Sequence, residues 1–354
     1  MINTIQWFTR SKDNIKDSDI STEYNIKVDM AENTNSTITT KNYNNIPNGS
    51  LIVVKMLGNN VPFFVGIVTG YDNKIITIAG ITKIFDGYWF ASISSGESSE
   101  SDFINKLNKN NNAYKLYNYA NFINSTNTKW SHIQDLTERY IPISLYDWFD
   151  EMFKKYRIAP HIVSFNPENY VPTIDLSVSN NEYQFSDNTP YLIDWNLTVV
   201  PGQADKNVID IVYRSKPNEI HRYYRDINNN ITDSSTISNV RQPETFAEMY
   251  VIEDLTDGDT PEDLPVPKEI ANDKLLVSVY SHDISFSVNI NDVIFDKKII
   301  NDLGAMVVIK YKNKIYNSVF SGYELNASSN TIKLKFGNNR STIPGLIRRM
   351  VNNK

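Results

Sequence analysis

The chain has 354 residues, 40% of them hydrophobic and 21% charged, so it is long enough for two or three domains and too apolar for general disorder. Its 35 basic and 41 acidic residues give a formal charge of −6, which argues against a dedicated nucleic-acid-binding protein. The absence of cysteine excludes disulfide scaffolds, thiolate metal sites and cysteine nucleophiles. No apolar run approaches about 20 residues, so the sequence predicts no membrane-spanning helix.

Residues 1–100 have the short apolar runs and the alternation of a β module. Turn signals at Asn48-Gly49 and Asp72-Asn73 separate several of these runs. Strands are predicted at 26–30, 34–43, 51–56, 63–69 and 74–79. We therefore predict a first β-barrel module in this segment, with strands from 170–250 as candidates to complete it.

Residues 101–169 change in character and predict a small helical α/β insertion. Its strongest element is a helix over 145–157, with Ser144 as the N-cap and Pro160 as the stop. Apolar side chains at spacings of three and four share one face of this helix: Leu145, Trp148, Phe149, Met152, Phe153 and Tyr156. An aromatic stripe with this spacing predicts core packing and no ligand site.

The second half of the chain is also predominantly β in pattern. Residues 170–252 are β-rich, including an apolar stretch at 192–199, and 253–267 form an acidic, proline-rich linker that we take as a domain boundary. A second β-barrel module is predicted over 268–340, before a short basic segment at 341–354. Its strands are expected at 275–280, 283–290, 306–311, 315–321 and 331–336. The predicted fold class is mainly β, multidomain, with two similar tube-like barrel modules per protomer and a small α/β insertion.

Two distant segments share one pattern. Residues 51–80 and 306–337 each predict a strand, a tight turn, a second strand, a Gly-Tyr-acid corner and a third strand. The corners are Gly70-Tyr71 and Gly322-Tyr323. Glycine suits a bend or bulge, and tyrosine can anchor a corner through its ring and hydroxyl. We therefore predict that these four residues are structural corners of an internal repeat.

The acidic linker is the one candidate for a metal site. Asp254, Asp257 and Asp259 could ligate calcium through clustered oxygens. A calcium loop of the EF-hand type with its glycine at 258 needs a ligand at 255, where the sequence has leucine. A solvated linker is therefore the favoured interpretation, calcium the alternative, and no cofactor is predicted.

Motifs for catalysis are missing. The sequence has no nucleophile elbow, phosphate loop or HExxH motif, so we predict no catalytic residues and no enzyme activity. Glycoside hydrolysis requires only two carboxylates, yet no carboxylate is distinguished by its context. The basic segment with Arg340, Arg348 and Arg349 is interpreted as a helix end with favourable cations, ahead of a DNA contact.

The second corner, followed by residues 330–341, resembles the C-terminal part of siphophage baseplate hub proteins of the tail-associated lysin (Tal) group. Residues 142–157 resemble the small inserted helix of that group, and 63–71 resemble part of its first barrel. The resemblance implies a homotrimer with two tube-like barrels per subunit. It also implies a ring that continues the tail tube below a hexameric distal tail protein and gates DNA exit.

Further expectations follow from the resemblance. The protein is expected at the virion tail tip after synthesis in the host cytoplasm, with phage DNA passing through its channel without sequence-specific binding. Receptor-binding proteins and the C-terminus of the tape-measure protein are candidate partners. Many family members carry a C-terminal peptidoglycan-cutting domain, which is expected to be absent because the sequence ends shortly after the second module. The alternatives are a saccharide-binding adhesin of the tail tip and a cell-wall hydrolase.

Overall fold

The structure is a computed structural model of the chain. It describes residues 4–11, 13, 15–32, 34–41, 46–72, 74–80, 88–89, 108, 120–125, 143–144, 149, 152–154, 156–199, 208–225, 231–233, 247–252, 254, 266–275, 282–289, 291–292 and 294–337. The described residues are mainly β, as the sequence predicted. None of the helices in these ranges is long and apolar enough to cross a membrane.

The elements follow in chain order. The first strands are β1 (Ile5–Arg10), β2 (Lys16–Ser21), β3 (Tyr24–Asp29), β4 (Asn35–Thr39), β5 (Leu51–Met56), β6 (Phe64–Asp72), β7 (Ile75–Gly80) and β8 (Tyr88–Trp89). The next are β9 (Asn121–Ile123), β10 (Ile143–Ser144), β11 (Ile158–Asn166), β12 (Val171–Val178), β13 (Glu182–Ser186) and β14 (Leu192–Val199). Then come β15 (Val208–Tyr213), β16 (Lys216–Arg225), β17 (Ile231–Thr232), β18 (Ala247–Ile252) and helix α1 (Pro267–Leu275). The last are β19 (His282–Asn289), a 3-10 helix (Lys297–Asn301), β20 (Met306–Tyr311), β21 (Lys314–Asn326) and β22 (Thr331–Phe336).

Contacts divide the chain into two units, residues 1–198 with 282–354 and residues 199–281. The first unit is therefore discontinuous in sequence, because the chain leaves it after β14 and returns at β19. This division differs from the predicted one, since residues 268–275 belong to the second unit and not to the second β module. The predicted linker, apart from 254, 266 and 267, and the basic segment at 341–354 lie outside the described residues.

Among the described residues, the main sheet of the first unit has 13 strands and runs β14-β19-β22-β21-β3-β4-β7-β6-β5-β1-β2. Off this path β20 pairs with β21, and β13 pairs with β20. Buried apolar side chains alternate along these strands, as in β22, where Ile332, Leu334 and Phe336 are buried. The two predicted β modules are thus continuous in one sheet. They meet where β3 of the first module pairs with β21 of the second.

The internal repeat is present as paired strands. In the first module β5-β6-β7 is an antiparallel meander followed in the sheet by β4, and in the second β20-β21-β22 is followed by β19. The ladder of β6 with β7 is irregular between Val68 and Gly70, and that of β21 with β22 between Phe320 and Gly322. Each Gly-Tyr corner therefore contains an irregularity at the same position.

A further sheet, β11-β12-β9, combines β9 and β11 of the predicted α/β insertion with β12, which follows the predicted boundary at 169. Before it, residues 149, 152–154 and 156 are helical, and Phe149, Met152 and Phe153 are buried. The predicted aromatic face of this helix is confirmed at these positions. Arg157 at φ +60° ends the helix and leads directly into β11.

The second unit is a four-stranded sheet, β17-β16-β15-β18, covered by α1. Its core consists of Ile209, Ile211, Ile252, Ile270, Ala271 and Leu275. The predicted strand at 275–280 is therefore wrong at its first residue, because Leu275 ends α1 and packs into this core. Residues 276–281 lie outside the described part of the chain.

Candidate functional site

The two Gly-Tyr corners are entered through the same backbone arrangement. In the first module Gly49, at φ +84°, donates its N–H to the Val68 carbonyl at 2.7 Å, and the Val68 N–H donates to Ser50 at 2.8 Å. These two hydrogen bonds fix the start of β5 against the point where β6 becomes irregular. Glycine suits this position because a positive φ is unfavourable for residues with a Cβ atom.

The second module repeats this arrangement. Gly304, at φ +80°, donates to the Phe320 carbonyl at 2.8 Å, and the Phe320 N–H donates to Ala305 at 2.9 Å. Gly49 was recognised in the sequence as a turn signal, whereas Gly304 was missed although Asn301 and Asp302 precede it. The shared pattern supports the two segments as copies of one structural unit.

The second corner is buried completely. The Tyr323 ring is 1% exposed and stacks on Phe320 with 6.5 Å between ring centroids. Its hydroxyl donates a 2.7 Å hydrogen bond to the Phe63 carbonyl of the first module. Burial raises the pKa of Tyr323, so the hydroxyl keeps its proton for this bond.

The first corner is less deeply placed. Tyr71 is half-buried and its hydroxyl lies 3.5 Å from Thr40 Oγ1. Thr69, which precedes the corner, is exposed, whereas the equivalent Ser321 is fully buried. The structure thus places all four predicted corner residues on equivalent strands but surrounds them differently.

Two ion pairs connect β3 with the second module. Lys335 Nζ lies 3.0 Å from Asp29 Oδ2, and the Asp29 side chain is 0% exposed against 19% for Lys335. Lys27 Nζ lies 3.1 Å from Glu324 Oε1, with both side chains about a third exposed or less. Neither pair was found in the sequence, because residues some 300 positions apart carry no local signal for contact.

A second polar cluster surrounds Asp302. Its carboxylate accepts hydrogen bonds from Ser179 Oγ, from Asn181 Nδ2 at 2.7 Å and from the Tyr183 hydroxyl at 2.8 Å. Burial, with the bond to this carboxylate, raises the pKa of Tyr183. The donors lie in β13 and just before it, and Asp302 caps the end of the 3-10 helix, so the cluster joins these two segments of the first unit.

A serine and a histidine also lie together in the first unit. His282 Nε2 is 2.8 Å from Ser318 Oγ, and both side chains are buried. Nucleophilic catalysis requires a serine that a substrate can reach. The contact therefore acts as a bond between β19 and β21.

The candidate calcium ligands are only partly described. The Asp254 carboxylate accepts two hydrogen bonds from Ser215, one from its backbone N–H at 2.8 Å and one from its hydroxyl. The hydroxyl bond is the main cause that lowers the pKa of Asp254. Asp257 and Asp259 lie outside the described residues, and within the described part no three side chains of the types Asp, Glu, His and Cys converge on a metal position.

Comparison with known sequences gives no match: no family model and no curated protein matches the chain. Solved structures do match it. One is a chain in a topological model of the p2 virion baseplate in its activated conformation. The alignment covers 96% of this chain and 100% of that one, at a TM-score of 0.52 and 11% identity.

A chain in the structure of the phage P2 baseplate in its activated conformation with Ca gives the same TM-score of 0.52, identity of 11% and coverage of 96% and 100%. The 43 kDa tail protein of prophage MuSo2 from Shewanella oneidensis aligns over 94% of this chain and 98% of its own, at a TM-score of 0.49 and 9% identity. At such identities the likeness concerns the fold. The chain therefore has the fold of a phage baseplate protein, as the resemblance in its sequence predicted.

Proposed function

We propose that this chain is a structural hub of a phage tail tip. In this proposal three copies form a ring below a hexameric distal tail protein, extend the tail tube and gate the exit of DNA. The observation that carries it is the internal repeat: each chain holds two copies of the unit that ends in a Gly-Tyr corner. Its baseplate fold over 96% of its length supports a role in such an assembly.

The number of copies follows from symmetry. A ring that continues a six-fold tube has to offer six similar modules, or half of the contacts at the junction stay unmade. Three chains with two modules each provide six, with closed cyclic symmetry. The negative net charge of −6 suits a channel in which DNA slides, because a basic wall would hold the phosphates.

Hydrogen bonding and burial support a structural role. The polar clusters at Asp302 and at His282 link separate segments of the first unit and are buried. Neither offers an accessible nucleophile or an arrangement of an acid beside a base. We therefore propose a structural role for both clusters.

The test is the mass and shape of the purified chain, alone and mixed with the distal tail protein. We expect three copies by native mass measurement and a ring with a central pore by electron microscopy. A stable hexamer, or a monomer that persists beside the distal tail protein, would contradict the proposal.

Two functional assays separate the alternatives. An adhesin should bind whole cells or purified wall polymer without other tail proteins, and a hydrolase should clear a wall suspension. We expect neither result from the purified chain. Wall clearing that is lost on changing one carboxylate would replace the hub proposal by an enzyme.

A further inference from the structure

The two corners differ in what lies on their outer edge. In the second module β3 pairs with residues 322–326 of β21, and it buries Gly322 and Tyr323. In the first module β5 and the Ser50 bonds accompany β6 only as far as Val68. Among the described residues no strand continues that pairing along the outer edge of 69–72. Thr69 is exposed there and Gly70 is half-buried.

Gly322 has a steric reason to be glycine. Its φ is not positive, so backbone conformation does not require glycine. A Cβ atom at this position would overlap the Val28 carbonyl and lie 2.9 Å from Asp29 Cα, both in β3. The close approach of β3 therefore requires the missing side chain.

Gly70 occupies the position in the first module that Gly322 occupies in the second, but β3 does not lie against it. Its φ is not positive either, and an added Cβ would come no closer than 3.7 Å, to Thr77 Cβ, among the described residues. Within one chain nothing described requires glycine here. A strand that approaches Gly70 as β3 approaches Gly322 would require it.

The equivalent of β3 in the second module is β14. It lies beside β19 as β3 lies beside β4, and among the strands that the structure describes it is the last at its end of the sheet. Ile193 on this strand is an apolar side chain that is 46% exposed. Six strands of the same sheet lie between β14 and β6, so β14 cannot pair with β6 of its own chain.

We infer that β14 of one copy pairs antiparallel with the outer edge of 69–72 in the next copy, as β3 pairs with β21. The inference rests on the proposed ring and names the contact that closes it. Each interface would cover one β14 and one corner, and the same contact repeats around the ring until it closes. Backbone hydrogen bonds would provide the register, and Gly70 the space for close approach.

The first test is Gly70→Val, with Thr77→Val as the matched control on the neighbouring strand. Because an added Cβ meets no described atom of the chain closer than 3.7 Å, we expect the Gly70→Val protein to fold with an unchanged circular dichroism spectrum. We expect its assembly to weaken by roughly tenfold to hundredfold per interface, the effect of overpacking a close contact. Thr77→Val should assemble as the unmodified chain does. Assembly of Gly70→Val at unchanged concentration would overturn the inference.

A cross-linking test decides the matter if Gly70→Val fails to fold. The chain has no cysteine, so an engineered pair gives the only disulfide. Thr69→Cys is combined in turn with cysteine at Asn196 and at Leu197, and we expect at least one pair to give covalently closed multimers on oxidation. In the control, Ile20→Cys replaces Thr69→Cys. Ile20 lies on β2, at the other end of the sheet from β14, so the control pairs should give no covalent multimers. Absence of cross-links for both pairs, in a chain that forms rings, would overturn the inference.

These outcomes separate the two proposals. If the unmodified chain forms no ring, the proposed hub function fails before any variant is made. If it forms rings that Gly70→Val leaves intact and that no β6–β14 pair cross-links, only the assigned interface fails.

Discussion

The Tyr323 hydroxyl donates a 2.7 Å hydrogen bond to the backbone carbonyl of Phe63, which lies 260 residues earlier in the chain. This bond joins the second corner directly to the first module, beside the pairing of β3 with β21. The two modules of one chain are thus locked to each other by buried contacts. The equivalent tyrosine, Tyr71, is only half-buried, so the two corners differ in burial although they match in sequence.

We expect Tyr323→Ala to lower the free energy of unfolding by about 3–5 kcal/mol, the range for removing a large buried ring. Tyr323→Phe should cost about 1–2 kcal/mol, because the buried Phe63 carbonyl loses its donor. Tyr71→Ala is the matched control in the same repeat position. In the dissociated chain it should cost less than half as much as Tyr323→Ala, measured by urea unfolding. Equal losses at both corners would contradict the difference in burial.

The two ion pairs of β3 offer a second comparison. Lys335→Met should destabilise the chain by about 3 kcal/mol, because it leaves the fully buried Asp29 carboxylate without this ammonium. Lys27→Met removes the partner of Glu324 at a more exposed position and should cost less than about 1 kcal/mol. Urea unfolding of both variants measures the difference. A loss at Lys27 as large as that at Lys335 would show that burial does not control these pairs.

We expect the folded chain to lose stability at alkaline pH because of Tyr24. Burial raises its pKa to about 12, and its hydroxyl has no hydrogen-bond partner among the described residues. A pKa raised in the folded state means that stability is complete below the ordinary tyrosine pKa and falls as pH rises toward the folded value. Tyr24→Phe should therefore keep or raise stability at neutral pH and reduce its loss above about pH 10. Urea unfolding of both proteins at neutral pH and above about pH 10 tests this. An equal loss of unfolding free energy at alkaline pH in Tyr24→Phe and in the unmodified chain would contradict it.

Calcium is expected to leave the chain unaffected. Asp254 is engaged by Ser215 through two hydrogen bonds, so its oxygens are committed to a loop contact. We expect the same melting temperature with millimolar calcium and with a chelator. A rise in melting temperature with calcium, lost in Asp254→Asn but kept in the control Asp292→Asn, would establish the acidic segment as a cation site.

Local patterns in the sequence were enough to predict several strands. The predicted bounds of β5, β14, β20 and β22 agree with the structure residue for residue, because alternation and apolar runs are properties of neighbouring positions. The strand β2 (Lys16–Ser21) was missed because its residues are mostly polar. Helix α1 was missed for a different reason. Its residue Leu275 packs against strands that are distant in sequence, and the local pattern does not reveal that contact.

The sequence by itself determined that the chain is mainly β, that it contains a repeat, and that each copy carries a Gly-Tyr corner. Only the tertiary structure decided what surrounds each corner. Gly70 and Gly322 occupy the same position in their repeats, but β3 lies against Gly322 and not against Gly70. The physical reason is that strand pairing is set by backbone hydrogen bonds between segments far apart in the chain, which residue pattern alone does not specify.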